Sequence, residues 1–85
     1  MPLSTTDHLR EILTEMFSLD RVETLQPEQK DPLGWLGAKS LDRIDFRLFV
    51  EERFSIRLPD VVLRGSTLQE MAEFLDAAKP TANPH

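Results

Sequence analysis

Apolar residues recur at helical spacing near the start of the chain. Leu9, Ile12, Leu13, Met16 and Phe17 stand at i, i+3, i+4, i+7 and i+8, which draws one apolar stripe along a helix. His8, Arg10, Glu11, Thr14 and Glu15 fill the opposite face, so the pattern predicts an amphipathic helix over 5–18. Thr5, Thr6 and Asp7 are suited to cap or charge its N-terminus. Residues 19–39 then read as a long connection, because Pro27, Pro32, Gly34 and Gly37 interrupt any continuous helix and no strand alternation replaces it. A connection of that length in so small a domain is often functional. Leu25, Leu33, Trp35 and Leu36 are positioned to tack it onto the helices.

A second helix is predicted over 41–55, with Ser40 as its N-cap and Asp42 in its first turn. Pro59 stops it, and Asp60 is suited to cap a short helical turn through Val61, Val62 and Leu63 that ends at Gly65. Thr67-Leu68-Gln69-Glu70 matches a capping box. The last helix follows from Leu68 to about Ala78, with Leu68, Met71, Ala72 and Leu75 as its stripe. Residues 79–85 carry two prolines and little to bury, and are expected to be disordered. The expected fold is therefore all-α, a small four-helix bundle in one domain over 1–78: three main helices, one short one and a long first loop.

The second helix carries two stripes. On a helical wheel Leu41, Ile44 and Leu48 cluster within about 60°, and Phe46, Val50 and Phe54 cluster within about 80° on roughly the opposite side. Phe49 lies between them. Either the helix is central and wrapped on both sides, or one stripe meets the core and the other meets a partner. In the second reading Phe46, Val50 and Phe54 face inward.

Composition narrows the chemistry. Folding of a chain of 85 residues buries about two-thirds of its unfolded surface, so stability is expected to be modest. Its radius of gyration is expected near roughly 12 Å. There is no cysteine, hence no disulfide, thiolate nucleophile or cysteine zinc site. The two histidines, His8 and His85, stand near opposite ends, which disfavours a histidine metal centre. The net charge of −5 disfavours nucleic-acid binding. No apolar run approaches a membrane span, and the first residues lack the pattern of a signal peptide. A cytoplasmic protein, monomeric by default, is expected. No Ser/His/Asp constellation or Gly-rich phosphate loop supports an enzyme with its own active site.

From Leu36 the chain reads Leu-Gly-Ala-Lys-Ser-Leu-Asp, and from Glu51 it reads Glu-Glu-Arg-Phe-Ser-Ile-Arg-Leu-Pro-Asp. The first stretch resembles the Leu-Gly-Ala-Asp-Ser-Leu-Asp of acyl carrier proteins. The second is similar to that family's Glu-Glu-x-Phe-x-Ile-x-Ile-Pro-Asp. The layout of residues 6–78 fits the same family, although only 36–60 is specific. The resemblance implies that Ser40 receives 4′-phosphopantetheine from coenzyme A through a phosphodiester, with Lys39 and Leu41 flanking the attachment site. The cofactor thiol then carries an acyl group as a thioester. A chain without cysteine must borrow its thiol, and a covalent tether raises the local concentration of the acyl group at partner active sites. The expected partners are a phosphopantetheinyl transferase, acyl-activating or acyl-transferring enzymes, and ketosynthase-like enzymes, in lipid or secondary-metabolite synthesis. In this reading the chain is a carrier and not an enzyme. Asp42, Arg43, Ile44, Arg47 and Leu48 would form the docking surface. Phe46, Val50, Phe54 and Met71 are candidates to line a space for a short or medium acyl chain.

The chain departs from the family at Lys39, where the usual residue is Asp. That lysine is suited to pair with the phosphate after attachment, and equally to repel a basic docking surface before it. Arg43, Arg47 and Arg53 also interrupt the family's acidic second helix. Arg43 and Arg47 share a face. They either pair within the helix, for example with Glu51, or exclude the housekeeping fatty-acid enzymes. Trp35 is expected to pack the loop onto the bundle, with contact to a cofactor arm or partner as the alternative. His8 is expected at the surface. The competing function is an unmodified helical adaptor that keeps the carrier fold without the cofactor.

Overall fold

Ser4 begins the first helix. Its hydroxyl accepts from the Asp7 amide at 3.1 Å, and the Asp7 carboxylate accepts from the Ser4 amide at 3.4 Å. This capping box sets α1 at Thr5–Met16, so the cap lies one residue before the candidates Thr5, Thr6 and Asp7. The structure is a computed structural model and describes residues 4–78; the expected disorder of 79–85 lies outside them.

The connection 19–39 is not a plain loop. It contains α2 (Leu19–Thr24) and α3 (Pro32–Trp35). Pro32 sits at the first position of α3, where its fixed φ suits a helix and its missing N–H costs nothing. The prolines and glycines punctuate this segment without forbidding short helices. Arg10 holds it down: Nη1 donates to the Val22 carbonyl and Nη2 to the Leu25 carbonyl, both at 2.9 Å. Further along, the Gln69 amide donates to the Pro27 carbonyl, and Lys30 forms an isolated antiparallel bridge with Thr67.

The remaining helices are α4 (Ser40–Phe54), α5 (Asp60–Gly65) and α6 (Leu68–Ala77). Two caps fall one residue before their expected places. Lys39 and Pro59 carry the extended cap backbone, so Ser40 and Asp60 are the first helical residues. The Thr67–Glu70 capping box forms as read, with bonds of 2.9 and 3.0 Å.

Helix α1 packs on α6, α4 and α2, and α5 packs on α6. Thr5 Oγ1 also donates to Asp76, joining the start of α1 to the end of α6. The core gathers Leu9, Ile12 and Leu13 from α1, Phe46 and Val50 from α4, and all four stripe residues of α6. Val22, Leu25, Leu33 and Leu36 of the connection are buried with them. Met16 and Phe17 pack at the edge. The result is an all-α globule with a radius of gyration of 12.3 Å and no β-strand among the described residues. Among those residues no helix is long and apolar enough to cross a membrane.

Candidate functional site

The site assembled around Ser40 begins with Asp31. Asp31 adopts a left-handed backbone with φ 48 and ψ 63 and precedes α3. After α3 the chain turns tightly: the Gly37 amide donates to the Gly34 carbonyl at 3.0 Å and the Ala38 amide to the Leu33 carbonyl at 2.9 Å. Gly37 has φ 86, a region open to glycine without strain. Leu33 and Leu36 anchor the turn in the core. The chain then emerges with Lys39 and Ser40 both exposed.

Ser40 therefore stands at the surface, at the first position of a helix of 15 residues. The Lys39 amide donates to Asp42 Oδ2 at 2.9 Å, which is one half of a capping box. The other half is missing, because a lysine side chain has no acceptor to offer the amides of the first turn. Those amides and the helix dipole favour an anion next to Ser40.

Helix α4 resolves its two stripes. Phe46 and Val50 are fully buried, and Phe54 is half-buried with its ring edge-on to His8 at 5.8 Å. The opposite stripe lies open: Leu41 is 74%, Ile44 54% and Leu48 54% exposed, and Phe49 beside them is 42% exposed. Ser40 and Leu41 thus open an apolar face that no described residue covers.

The arginines of α4 are occupied. Arg43 makes a bidentate pair with Asp31, Nη1 to Oδ1 and Nη2 to Oδ2, both at 3.0 Å. It reaches back to the connection and not along its own helix to Glu51. Arg47 does pair with Glu51 at 3.3 Å, and Glu51 also accepts from the Leu58 amide at 2.7 Å. Arg53 pairs with Glu11 at 2.8 Å. On α4 and its cap, Lys39, Asp42, Asp45 and Glu52 have no ion-pair partner among the described residues, and Asp42 is engaged only as the acceptor of the Lys39 amide. The α4 surface consequently joins its apolar row to three carboxylates without an ion pair among the described residues, and its arginine charges are largely cancelled.

Trp35 is 38% exposed; the Arg21 guanidinium lies 5.6 Å from its ring centroid and donates to its carbonyl at 3.0 Å. This stacking holds α2 to α3. A surface groove of about 780 Å³ is lined by residues of both α1 and α2, and a smaller one of about 380 Å³ is lined by Ile12, Glu15, Phe49, Glu52 and Arg53. Neither is lined by Phe46, Val50, Phe54 or Met71, the candidates for an acyl space.

The Asp31 carboxyl is held below the ordinary 3.8, mainly by its hydrogen bonds from Arg43, while burial opposes the shift. The folded value is the lower one, so the pair stabilises the fold above the unfolded carboxylate range. That stabilisation is lost as pH falls through about 4 and below. With Asp31 43% exposed, solvent screening keeps the effect within about 1 kcal/mol. Urea titrations across pH 2–6 are expected to show a shallower acid decline in Asp31→Asn than in the wild type. Superimposable profiles would show that the pair contributes nothing.

Asp31 has no role in the sequence pattern, and Arg10 and Gly34 stand there only as a polar-face residue and a helix breaker; their contacts are tertiary. Asp31-Pro32 carried a usable signal, since Asp before a proline is a common helix start. No family model matches the chain, and no solved structure matches it either.

Proposed function

We propose that this chain is an acyl carrier protein loaded on Ser40. The carrying observation is the exposed Ser40 hydroxyl at the head of α4, beside an open apolar face of Leu41, Ile44 and Leu48. The local sequence resemblance is the second support. The residues present fit 4′-phosphopantetheine. Ser40 is exposed, the first-turn amides lack a side-chain cap, and Lys39 is an exposed cation next in sequence to the attachment residue. In loading, Ser40 Oγ forms the bond to phosphorus and gives up its proton. The phosphoanhydride of coenzyme A breaks, and the nucleotide part leaves as adenosine bisphosphate. The bound arm supplies a thiol that holds an acyl group as a thioester.

The other residues serve docking. Leu41, Ile44 and Leu48 give apolar contact, and Asp45 and Glu52 present negative charge to a basic partner surface. Arg43 and Arg47 sit at the edge of this face with their charges compensated. In this reading the partners are a phosphopantetheinyl transferase and the acyl-activating, acyl-transferring or ketosynthase-like enzymes that exchange the acyl group. The chain itself catalyses nothing.

The test is intact mass after incubation with coenzyme A and a broad-specificity phosphopantetheinyl transferase. The wild type is expected to gain one phosphopantetheine and Ser40→Ala none. Lys39→Asp is expected to load faster, because it restores both an N-cap acceptor and the family's charge before the serine. No gain on the wild type or on Lys39→Asp would overturn the reading in favour of an adaptor that uses the same apolar face.

A further inference from the structure

Between Asp31 and Arg43 the chain closes on itself. The two residues are twelve positions apart and joined by two parallel hydrogen bonds of 3.0 Å. Ser40 lies inside the ring so formed. The ring is built for this closure. Asp31 holds a left-handed backbone, a region that few residues other than glycine, Asn and Asp enter. Gly34 is where the clasp passes closest to the backbone: a Cβ there would lie 2.2 Å from Asp31 Oδ2 and 3.2 Å from Arg43 Nη2. Only glycine leaves room for the pair as it stands. The Arg43 side chain is 17% exposed, low for an arginine on an outer helix.

Within the ring, Leu33 and Leu36 are buried, whereas Lys39, Ser40 and Leu41 face solvent. The inner half is held by the core. The outer half is held by the Lys39–Asp42 cap and by the clasp one turn into α4.

We propose that the Asp31–Arg43 clasp is a positioning device for Ser40. It holds the 31–43 ring in one shape, so that the serine and the first turn of α4 meet the loading enzyme already ordered. This rests on the reading of Ser40 as the loading site. Neither Asp31 nor Arg43 is assigned contact with the transferred group; both are positioning residues that act through the ring. A loading enzyme that meets an unclasped ring must order it on binding, which weakens association and leaves the chemical step alone. Arg43 is thereby withdrawn from the docking contacts, whereas Lys39, next to Ser40, has no ion-pair partner among the described residues.

Two substitutions open the clasp by different routes. Asp31→Asn removes the charge and keeps a residue that tolerates the left-handed backbone. Gly34→Ala leaves both charged residues in place and displaces the carboxylate. The experiment measures transferase kinetics against wild type, both single variants and the double variant, at a temperature where circular dichroism shows all four folded. Each single variant is expected to raise KM for the carrier about three- to fivefold with kcat within about twofold. The double variant is expected to be no worse than the singles, because both act on one device. Unchanged KM, or effects that multiply in the double variant, would overturn the proposal.

Hydrogen exchange gives a readout independent of loading. Amides of residues 33–41 are expected to exchange faster in both variants, with α6 protection kept. Unchanged exchange would overturn the clasp's role even if Ser40 is loaded. Altered exchange with no loading of the wild type would overturn the reading of Ser40, and the positioning role with it.

Discussion

Phe46→Ala is expected to lower the unfolding free energy by about 3–5 kcal/mol, and Leu41→Ala on the same helix to change it by no more than about 0.5 kcal/mol. Both substitutions shorten a large apolar side chain of α4 to alanine. They differ in what surrounds the chain. Phe46 is fully buried among core residues, so truncation loses its transfer free energy and leaves a cavity. Leu41 is 74% exposed, so little is lost, and alanine is the better helix former. A domain of this size has only about 5–10 kcal/mol in hand, so Phe46→Ala approaches global unfolding. Urea unfolding followed by fluorescence of Trp35, the single tryptophan, measures both. Similar losses at the two positions would mean that both stripes of α4 are buried, and that the open face proposed for docking does not exist.

Arg10→Met is expected to cost about 2–3 kcal/mol, more than any of the surface ion pairs. Its guanidinium satisfies two carbonyls at the end of α2, those of Val22 and Leu25, with bonds of 2.9 Å. Both bonds are charge-assisted and partly buried, and methionine fills the volume without donating. Arg10→Lys is expected to recover less than half of the loss. One ammonium does not reproduce a planar fork aimed at two carbonyls. Hydrogen exchange around Val22 and Leu25 should accelerate in step with the loss measured by urea. A loss below about 0.5 kcal/mol in Arg10→Met would place the hold on the connection in its buried leucines alone.

These two results also mark where local reading of the sequence succeeds and stops. The stripe of α6 is an example of success: Leu68, Met71, Ala72 and Leu75 all became core, under the capping box read at Thr67 and Glu70. On α1 the stripe was right at Leu9, Ile12 and Leu13 and weaker at Met16 and Phe17, which lie at the edge where the helix ends. The connection was the main gap. Prolines and glycines were read as breaks, yet Pro32 starts α3 and Arg10, from another helix, secures the end of α2. Helix caps slipped by one residue at Lys39 and Pro59, because φ and ψ place a cap and neither residue is a preferred capping type.

The candidate site shows the same division. Ser40 at the head of a helix and an apolar row along α4 were both legible. The pairing of Arg43 was not: helix spacing proposes partners three or four residues away, and its partner Asp31 is twelve positions distant. That pairing alters the electrostatic character of the α4 surface. The arginines that interrupt the acidic helix are largely neutralised, and Asp42, Asp45 and Glu52 remain.

What the sequence by itself determined was the helical class, the apolar stripes, the capping box of α6 and the serine at the head of a helix. Each follows from backbone periodicity or from residues within a turn of one another, and these interactions exist wherever the rest of the chain lies. The tertiary structure alone decided which of α4's two stripes is buried, which carboxylate each arginine meets, and how the connection is held. Those outcomes depend on surfaces brought together from distant parts of the chain. Two opposed stripes are equally apolar until α1 and the rest of the core pack against one of them.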